Sequence, residues 1–324
     1  VECTIAAGVD KLPVRVLDLD YLFLLAGLFG LFFGGEALVR GSVGIARRMA
    51  ISPLLIGLTV VGFGTSTPEL LVSVDAAWRG VPDIALGNIV GSNIANILLI
   101  IGLSALVWPI RVMGATLRRD TTVMMAAALA LVPIFAMGQM NRLSGVILLA
   151  GLMTYLIWAY RQSGDAIPDD AGLPAPASVL VSGLWVIGGL IALMVGARLL
   201  VDGAVSIARS YGISEAFIGL TIVAVGTSLP ELATSVIAAF RRQSEIAIGN
   251  IVGSNIFNVL CILGVTALIA PIPVASRFLT FDLPVMIAVS LVLTGLLLAR
   301  PVIGRGTGAG MLAGYAVYVW AAQG

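Results

Sequence analysis

The sequence predicts an all-α polytopic membrane protein with ten transmembrane helices arranged as two inverted five-helix repeats. Three observations carry that prediction. Hydrophobic residues make up 59% of the 324-residue chain and charged residues only 11%, with a mean hydropathy of +1.08, which excludes an ordinary soluble domain. Apolar stretches long enough to cross a hydrocarbon core recur along the whole chain. A sixty-residue block, 51–110, returns at 213–272 with a constant offset of 162 and identity at 36 of the 60 positions.

The first five spans read at 20–48, 51–79, 82–108, 120–138 and 143–161, and the second five at 179–208, 213–240, 245–270, 279–299 and 307–322. Each holds roughly the 20 residues that a membrane helix needs. Span 1 carries Glu36 and Arg40, which align with Arg198 and Asp202 of span 6. The charge order is swapped, so structural ion pairs within or between these helices are expected. Asp75, near the end of span 2, aligns with Ile237 and reads as peripheral. Trp78, Trp108 and Trp320 fall near span ends, as in an interfacial belt. Cys261 in span 8 aligns with Leu99 and reads as a small apolar helix residue, so a disulfide with Cys3 is not expected.

Between spans 5 and 6, SGDAIPDDAGLPAPAS at 163–178 is the one sizeable polar break and reads as a linker. The repeats are therefore 20–162 and 179–322. Five spans per repeat is an odd number, so spans 2 and 7 cross the membrane in opposite directions. That is the inverted-topology pattern of many secondary transporters, whose sites lie near the midplane between repeats. Arg47, Arg48, Arg111, Arg118, Arg119, Arg161, Arg241, Arg242, Arg300 and Arg305 gather on one side, against Arg79, Arg142, Arg209 and Arg277 on the other. The positive-inside rule then makes the linker cytoplasmic and puts both termini outside, in a bacterial inner (plasma) membrane. Residues 1–19 lack a basic segment followed by an apolar core and a small-residue cleavage site, so no signal peptide is assigned and the segment stays unassigned.

Composition also removes whole classes of function. A net charge of +1 with a single lysine, Lys11, offers no basic face for nucleic acid. The chain has no histidine, which removes imidazole metal sites, histidine proton relays and most catalytic triads. No nucleophile–base pair, phosphate loop or catalytic metal spacing stands out, so neither an enzyme nor a bound cofactor is predicted.

The polar positions of the repeated block carry the chemistry. GFGTSTPE at 62–69 is matched by AVGTSLPE at 224–231. Pro68 and Pro230 remove a backbone donor, and Gly64 and Gly226 lower the cost of unwinding, so helices 2 and 7 should break here. Carbonyls freed at membrane depth require protein or a cavity to receive them. With Thr65, Ser66 and Glu69, and with Thr227, Ser228 and Glu231, they form two clusters of hard oxygen ligands. GNIVGSNIAN at 87–96 is matched by GNIVGSNIFN at 249–258. Ser92 and Asn96 share a helix face, as do Ser254 and Asn258, and they complete the oxygen shell. Asn88 and Asn250 lie one turn earlier on that face. They serve either the shell or the gluing of helices, with Gly87 and Gly91 in a small-xxx-small spacing.

An ionised carboxylate at a membrane helix centre costs about 2.5–3.5 kcal/mol on insertion scales. Two facing each other also repel, and a divalent cation between them cancels both charges. Calcium accepts carboxylates, carbonyls, hydroxyls and amides in flexible geometry, whereas magnesium demands tighter octahedra and soft metals want Cys or His. Calcium is the best candidate.

These motifs resemble the calcium/cation antiporter superfamily, which includes sodium/calcium exchangers and their bacterial relatives. GTSTPELLVS and GNIVGSNIAN carry the resemblance in the first half, GTSLPELATS and GNIVGSNIFN in the second. It implies a ten-helix fold whose broken helices 2, 3, 7 and 8 form a diamond-shaped core, across which long helices 1 and 6 slide. It places ion ligands on Thr65, Ser66, Glu69, Ser92 and Asn96, on Thr227, Ser228, Glu231, Ser254 and Asn258, and on the carbonyls of Gly62 and Ala224. Sodium-coupled relatives often carry Asp at the position of Asn258. The expected function is secondary active antiport of Ca2+ for Na+ by alternating access. Protonation of Glu69 and Glu231 gives Ca2+/H+ exchange as the alternative, and a passive cation channel is the rival of another class. The partners are the two transported ions and the lipid bilayer, with the oligomeric state left open.

Overall fold

The structure, a computed structural model, describes residues 14–49, 51–111, 115–162, 178–212 and 224–322, with side chains except at 14–18, 115, 116 and 224. Residues 1–13 of the N-terminal segment, 163–177 of the linker and 213–223 of span 7 lie outside the described residues, as does Cys3. The helices are α1 (Val14–Met49), α2 (Pro53–Thr65), α3 (Thr67–Trp78), α4 (Pro82–Val107), α5 (Ala115–Ala136) and α6 (Arg142–Arg161) in the first half. The second half has α7 (Val179–Ser210), α8 (Leu229–Phe240), α9 (Ser244–Ile269), α10 (Phe278–Ala299) and α11 (Arg305–Ala321). Among the described residues seven helices are long and apolar enough to cross a membrane, or eight if α2 and α3 form one bent span.

The expected break in span 2 is present. The axes of α2 and α3 differ by 43° across Ser66, where the missing N–H of Pro68 leaves the Gly64 carbonyl without its helical donor. In span 7 the turn Ala224–Gly226 ends at Thr227 and Ser228, and α8 resumes at Leu229 with Pro230 in its first turn. Spans 3 and 8 correct the expectation, because α4 and α9 run through without interruption. Neither GNIVGSNIAN nor GNIVGSNIFN contains proline, so nothing strips the backbone of donors. The strain appears instead as one wide π turn in each helix, Asn96–Ile100 and Asn258–Ile262, with the N–H of Ile101 on the Asn96 carbonyl and that of Leu263 on the Asn258 carbonyl. Such bulges are frequent at functional sites.

The main apolar core is built around α4 and α9, with Leu86, Ile89, Ile94, Ile251, Ile256 and Leu263 fully buried, and α5, α6 and α10 pack against it through Leu131, Leu148 and Leu293. A second core joins α1 and α7 through Leu31, Leu38, Val39, Val186 and Leu193. These two helices lie along each other, and a Cβ on Gly30 would stand only 2.9 Å from the Cα of Gly196. Leu25, Phe29 and Phe33 of α1 and Leu184, Ile187 and Ile191 of α7 are exposed, as expected of helices that meet lipid. The second close crossing sits beside the repeated motifs, where a Cβ on Gly253 of α9 would meet the Leu58 carbonyl of α2 at 2.3 Å.

Contacts between the halves are reciprocal. β1 (Ile110–Arg111), which follows α4, pairs antiparallel with β4 (Val302–Ile303), which lies between the last two helices. β3 (Ile272–Pro273), which follows α9, pairs in the same way with β2 (Gln139–Met140), between α5 and α6. The charged pairs of α1 and α7 behave as structural ties. Glu36 meets Arg40 on its own helix and Arg241 at the end of α8 (2.7 Å), and Arg198 lies 3.7 Å from Asp202. Asp75 pairs with Arg79 at the exposed end of α3 (2.7 Å).

Candidate cation site

Glu69 and Glu231 each stand in the first turn of a helix that restarts after a break, where unpaired N–H groups favour negative charge. Both are 1% exposed. Each is held by a serine from the opposite half. Ser66 donates to Glu231 Oε1 at 3.0 Å, and Ser228 donates to Glu69 Oε1 at 3.3 Å. Ser228 also lies 3.4 Å from Ser92 Oγ on α4. Ser254 on α9 donates to the Gly62 carbonyl at 3.3 Å. Thr65 sits 3.1 Å from both the Val61 carbonyl and Asn250 Oδ1. Thr227 donates to Asn88 Oδ1 at 3.4 Å. Asn96 and Asn258 are buried one helical turn beyond Ser92 and Ser254.

The structure thus brings Gly62, Thr65, Ser66, Glu69 and Ser92 together with Thr227, Ser228, Glu231 and Ser254 in one buried polar cluster. Ala224 opens the helical turn that leads into Thr227. The Gly62 carbonyl is not bare, since it also accepts the N–H of Ser66 at 3.1 Å. With the Ser254 hydroxyl and the Ser66 N–H both on it, its two lone pairs are taken, so an ion there has to displace the Ser254 hydroxyl.

Asn88 and Asn250 are scaffold. Asn88 donates to the Glu69 carbonyl (3.1 Å) and to Ser73 (2.9 Å), and Asn250 to the Glu231 carbonyl (3.3 Å) and Ser235 (2.8 Å). Each accepts a threonine hydroxyl as well, so both ends of the amide are engaged, and the amide donors fasten α4 to α3 and α9 to α8. The sequence reading did not single out Ser73, Ser235, Asn93 or Asn255. Asn93 and Asn255 carried a usable signal, because the Asn of S-N-I-x-N is identical in both copies. Cys261 lies half-buried and lines a small crevice with Ser66, Phe63 and Phe257.

Four buried side-chain atoms of the cluster have no hydrogen-bond partner among the described residues: Glu69 Oε2, Glu231 Oε2, Asn96 Oδ1 and Asn258 Oδ1. All are acceptors, and they come in matched pairs from the two halves. Leaving a buried acceptor unsatisfied costs about 1–3 kcal/mol, and more when it is charged. Such a set fits a hard, positively charged ligand.

A second buried carboxylate recurs away from the cluster. Asp120 on α5 accepts from Arg119 at 2.7 Å and from Tyr155 on α6 at 3.2 Å. Its aligned counterpart Asp282 on α10 accepts from Tyr318 on α11 at 3.2 Å and from Arg277 at 3.3 Å. These tie neighbouring outer helices together. Arg119 is correspondingly buried within α5, which starts at Ala115, earlier than the expected span at 120.

A family model described as "Sodium/calcium exchanger protein" matches the chain twice, over residues 19–161 and 181–323. The chain is 33% identical over 326 residues to the sodium/calcium exchanger MaX1 of Methanosarcina acetivorans, covering 86% of this chain and 91% of that protein. It is 42% identical over 279 residues to the putative antiporter CaxA of Alkalimonas amylolytica, covering 84% of this chain and 88% of the relative. A solved structure of the sodium-calcium exchanger NCX_Mj, soaked with 10 mM Na+ and zero Ca2+, superposes with a TM-score of 0.82 at 36% identity. The superposition covers 94% of this chain and 98% of that one.

Proposed function

The chain belongs to the sodium/calcium exchanger protein family, a family of membrane cation antiporters, and we propose that it exchanges Ca2+ for Na+ by alternating access. The observation that carries this reading is the set of four unpartnered buried acceptors on Glu69, Glu231, Asn96 and Asn258. Calcium takes about 6–8 oxygen ligands in flexible geometry. The two carboxylates neutralise it, and Thr65, Ser66, Ser92, Asn96, Thr227, Ser228, Ser254, Asn258 and the carbonyls of Gly62 and Ala224 supply neutral oxygens. Loading by calcium or sodium cancels the buried charge, whereas the empty, doubly charged site is too costly to carry across.

The same observation supports sodium as the counter-ion. Protons on Glu69 and Glu231 supply two donors but leave the amide oxygens of Asn96 and Asn258 bare, at about 1–3 kcal/mol each. Sodium, another hard cation, satisfies amide and carboxylate oxygens alike. Proton exchange is the second reading, favoured by Asn258 standing where a third acid would add charge. In one reconstituted preparation, a sodium jump should drive calcium flux and a pH jump at constant sodium should not. The reverse result overturns sodium coupling. Flux that saturates and stops without a counter-ion separates exchange from a passive channel.

The architecture belongs to the same proposal. Ten spans form two inverted repeats at 20–162 and 179–322, with the linker cytoplasmic and both termini outside in the inner membrane. Reciprocal pairing of Ser66 with Glu231 and Ser228 with Glu69 supports a two-fold relation. Helices α1 and α7, packed on each other with lipid-type outer faces, are the elements that slide.

A further inference from the structure

Behind the two asparagines of the cluster stands a second pair, and behind that pair two methionines. Asn96 Nδ2 donates to Asn255 Oδ1 at 3.0 Å, and Asn258 Nδ2 donates to Asn93 Oδ1 at 3.1 Å. Asn255 Nδ2 in turn points at Met124 Sδ (3.6 Å), and Asn93 Nδ2 at Met286 Sδ (3.5 Å). All six side chains are buried. Met124 and Met286 occupy equivalent positions in the two halves, 162 residues apart.

The direction of each chain is forced at its far end. A thioether sulfur accepts a hydrogen bond and cannot donate one. Asn255 must therefore turn its NH2 toward Met124, which leaves its carbonyl facing Asn96. Asn96 must answer with its own NH2. Its remaining polar atom, Oδ1, is left without a partner among the described residues. The same logic runs from Met286 through Asn93 to Asn258 Oδ1, also unpartnered. A buried amide able to present either end is thereby held with one end chosen.

We infer that Asn93 and Asn255, backed by Met286 and Met124, are positioning residues that hold the amides of Asn258 and Asn96 with their oxygens toward the transported cation. The inference rests on the cation-site reading proposed above. Each lock crosses between halves, since α9 orients the amide on α4 and α4 orients the amide on α9. Preorganised oxygens bind a cation without first reorganising, so the locks act on affinity rather than on the maximal rate.

The test is a double-mutant cycle on purified protein in proteoliposomes, reading KM and maximal rate for calcium together with thermal stability. Asn255→Leu should raise KM about tenfold, which is about 1.4 kcal/mol, with the maximal rate kept. In an Asn96→Asp background the same Asn255→Leu change should cost less than about twofold, because a carboxylate presents an oxygen in either orientation. Met124→Leu conserves volume and folding, and it should raise KM about threefold in the Asn96 background only. An unchanged KM in both Asn255→Leu and Met124→Leu, or an equal rise in both backgrounds, overturns the inference. Glu69→Gln keeps the two ideas apart. If it raises KM while the cycle shows no coupling, only the positioning role falls. If it also leaves KM unchanged, the cation site itself is misassigned.

Discussion

Glu69→Gln and Glu231→Gln remove one of two buried charges while preserving shape. Each carboxylate has one oxygen on a serine of the opposite half, at 3.3 and 3.0 Å, and one oxygen without a partner among the described residues. The substituted amide can keep the first contact, but it turns the second, charged acceptor into a neutral group. Breaking one partner of a buried charge pair costs about 3–5 kcal/mol, so KM for calcium should rise about 150- to 4,000-fold in each variant. Because the serine contacts are reciprocal, the two variants should agree within about fivefold. Stability should move the other way, since in the ion-free protein each substitution relieves the burial of one charge, and Tm should hold or rise. Initial rates of calcium-45 uptake into sodium-loaded proteoliposomes over a range of external calcium measure the first quantity, and thermal unfolding the second. Wild-type KM in both variants would refute the shared site, and loss in only one would refute its two-fold construction.

Four further outcomes follow from particular surroundings. Gly253→Ala places a Cβ 2.3 Å from the Leu58 carbonyl, so it should lower stability by about 1–3 kcal/mol through overpacking. Gly295→Ala in open space on α10 should raise stability by about 0.5–1 kcal/mol, and a thermal-melt comparison reads both signs. Tyr155→Phe and Tyr318→Phe each strip one hydrogen bond from a buried aspartate. Both should cost about 1–3 kcal/mol, more at Tyr155, which is the more deeply buried of the two, with KM for calcium unchanged in flux assays. Glu36→Gln loses pairing with Arg40 and Arg241. It should destabilise by about 1 kcal/mol, an effect that shrinks as the melt is repeated at higher ionic strength.

Much of the site is legible in the chain because membrane burial makes polar residues conspicuous. Glu69, Ser66, Ser92 and their counterparts stand out against apolar runs, and their duplication marks them as a set. Asn88 and Asn250 stand out equally, yet they brace the backbone carbonyls of Glu69 and Glu231. Residue type and spacing are the same for ligand and brace, so only the direction of the amide tells them apart. The break at Pro68 is local chemistry and was predictable. The continuity of α4 and α9 through π turns was not, because a wide turn reflects how a helix packs and has no residue that signals it.

Composition and the repeat by themselves determined that the chain is an all-helical membrane protein and which residue types are available for the proposed hard-cation shell. Each of those follows from hydropathy and from the chemistry of single side chains. Tertiary structure alone decided which half serves which. The serine of one half holds the glutamate of the other, and the asparagine behind one site amide belongs to the opposite repeat. Hydrogen bonds have a donor and an acceptor end, and their direction depends on what stands beyond each partner in space. Behind Asn96 and Asn258 that last neighbour is a methionine reached only through an asparagine of the opposite half.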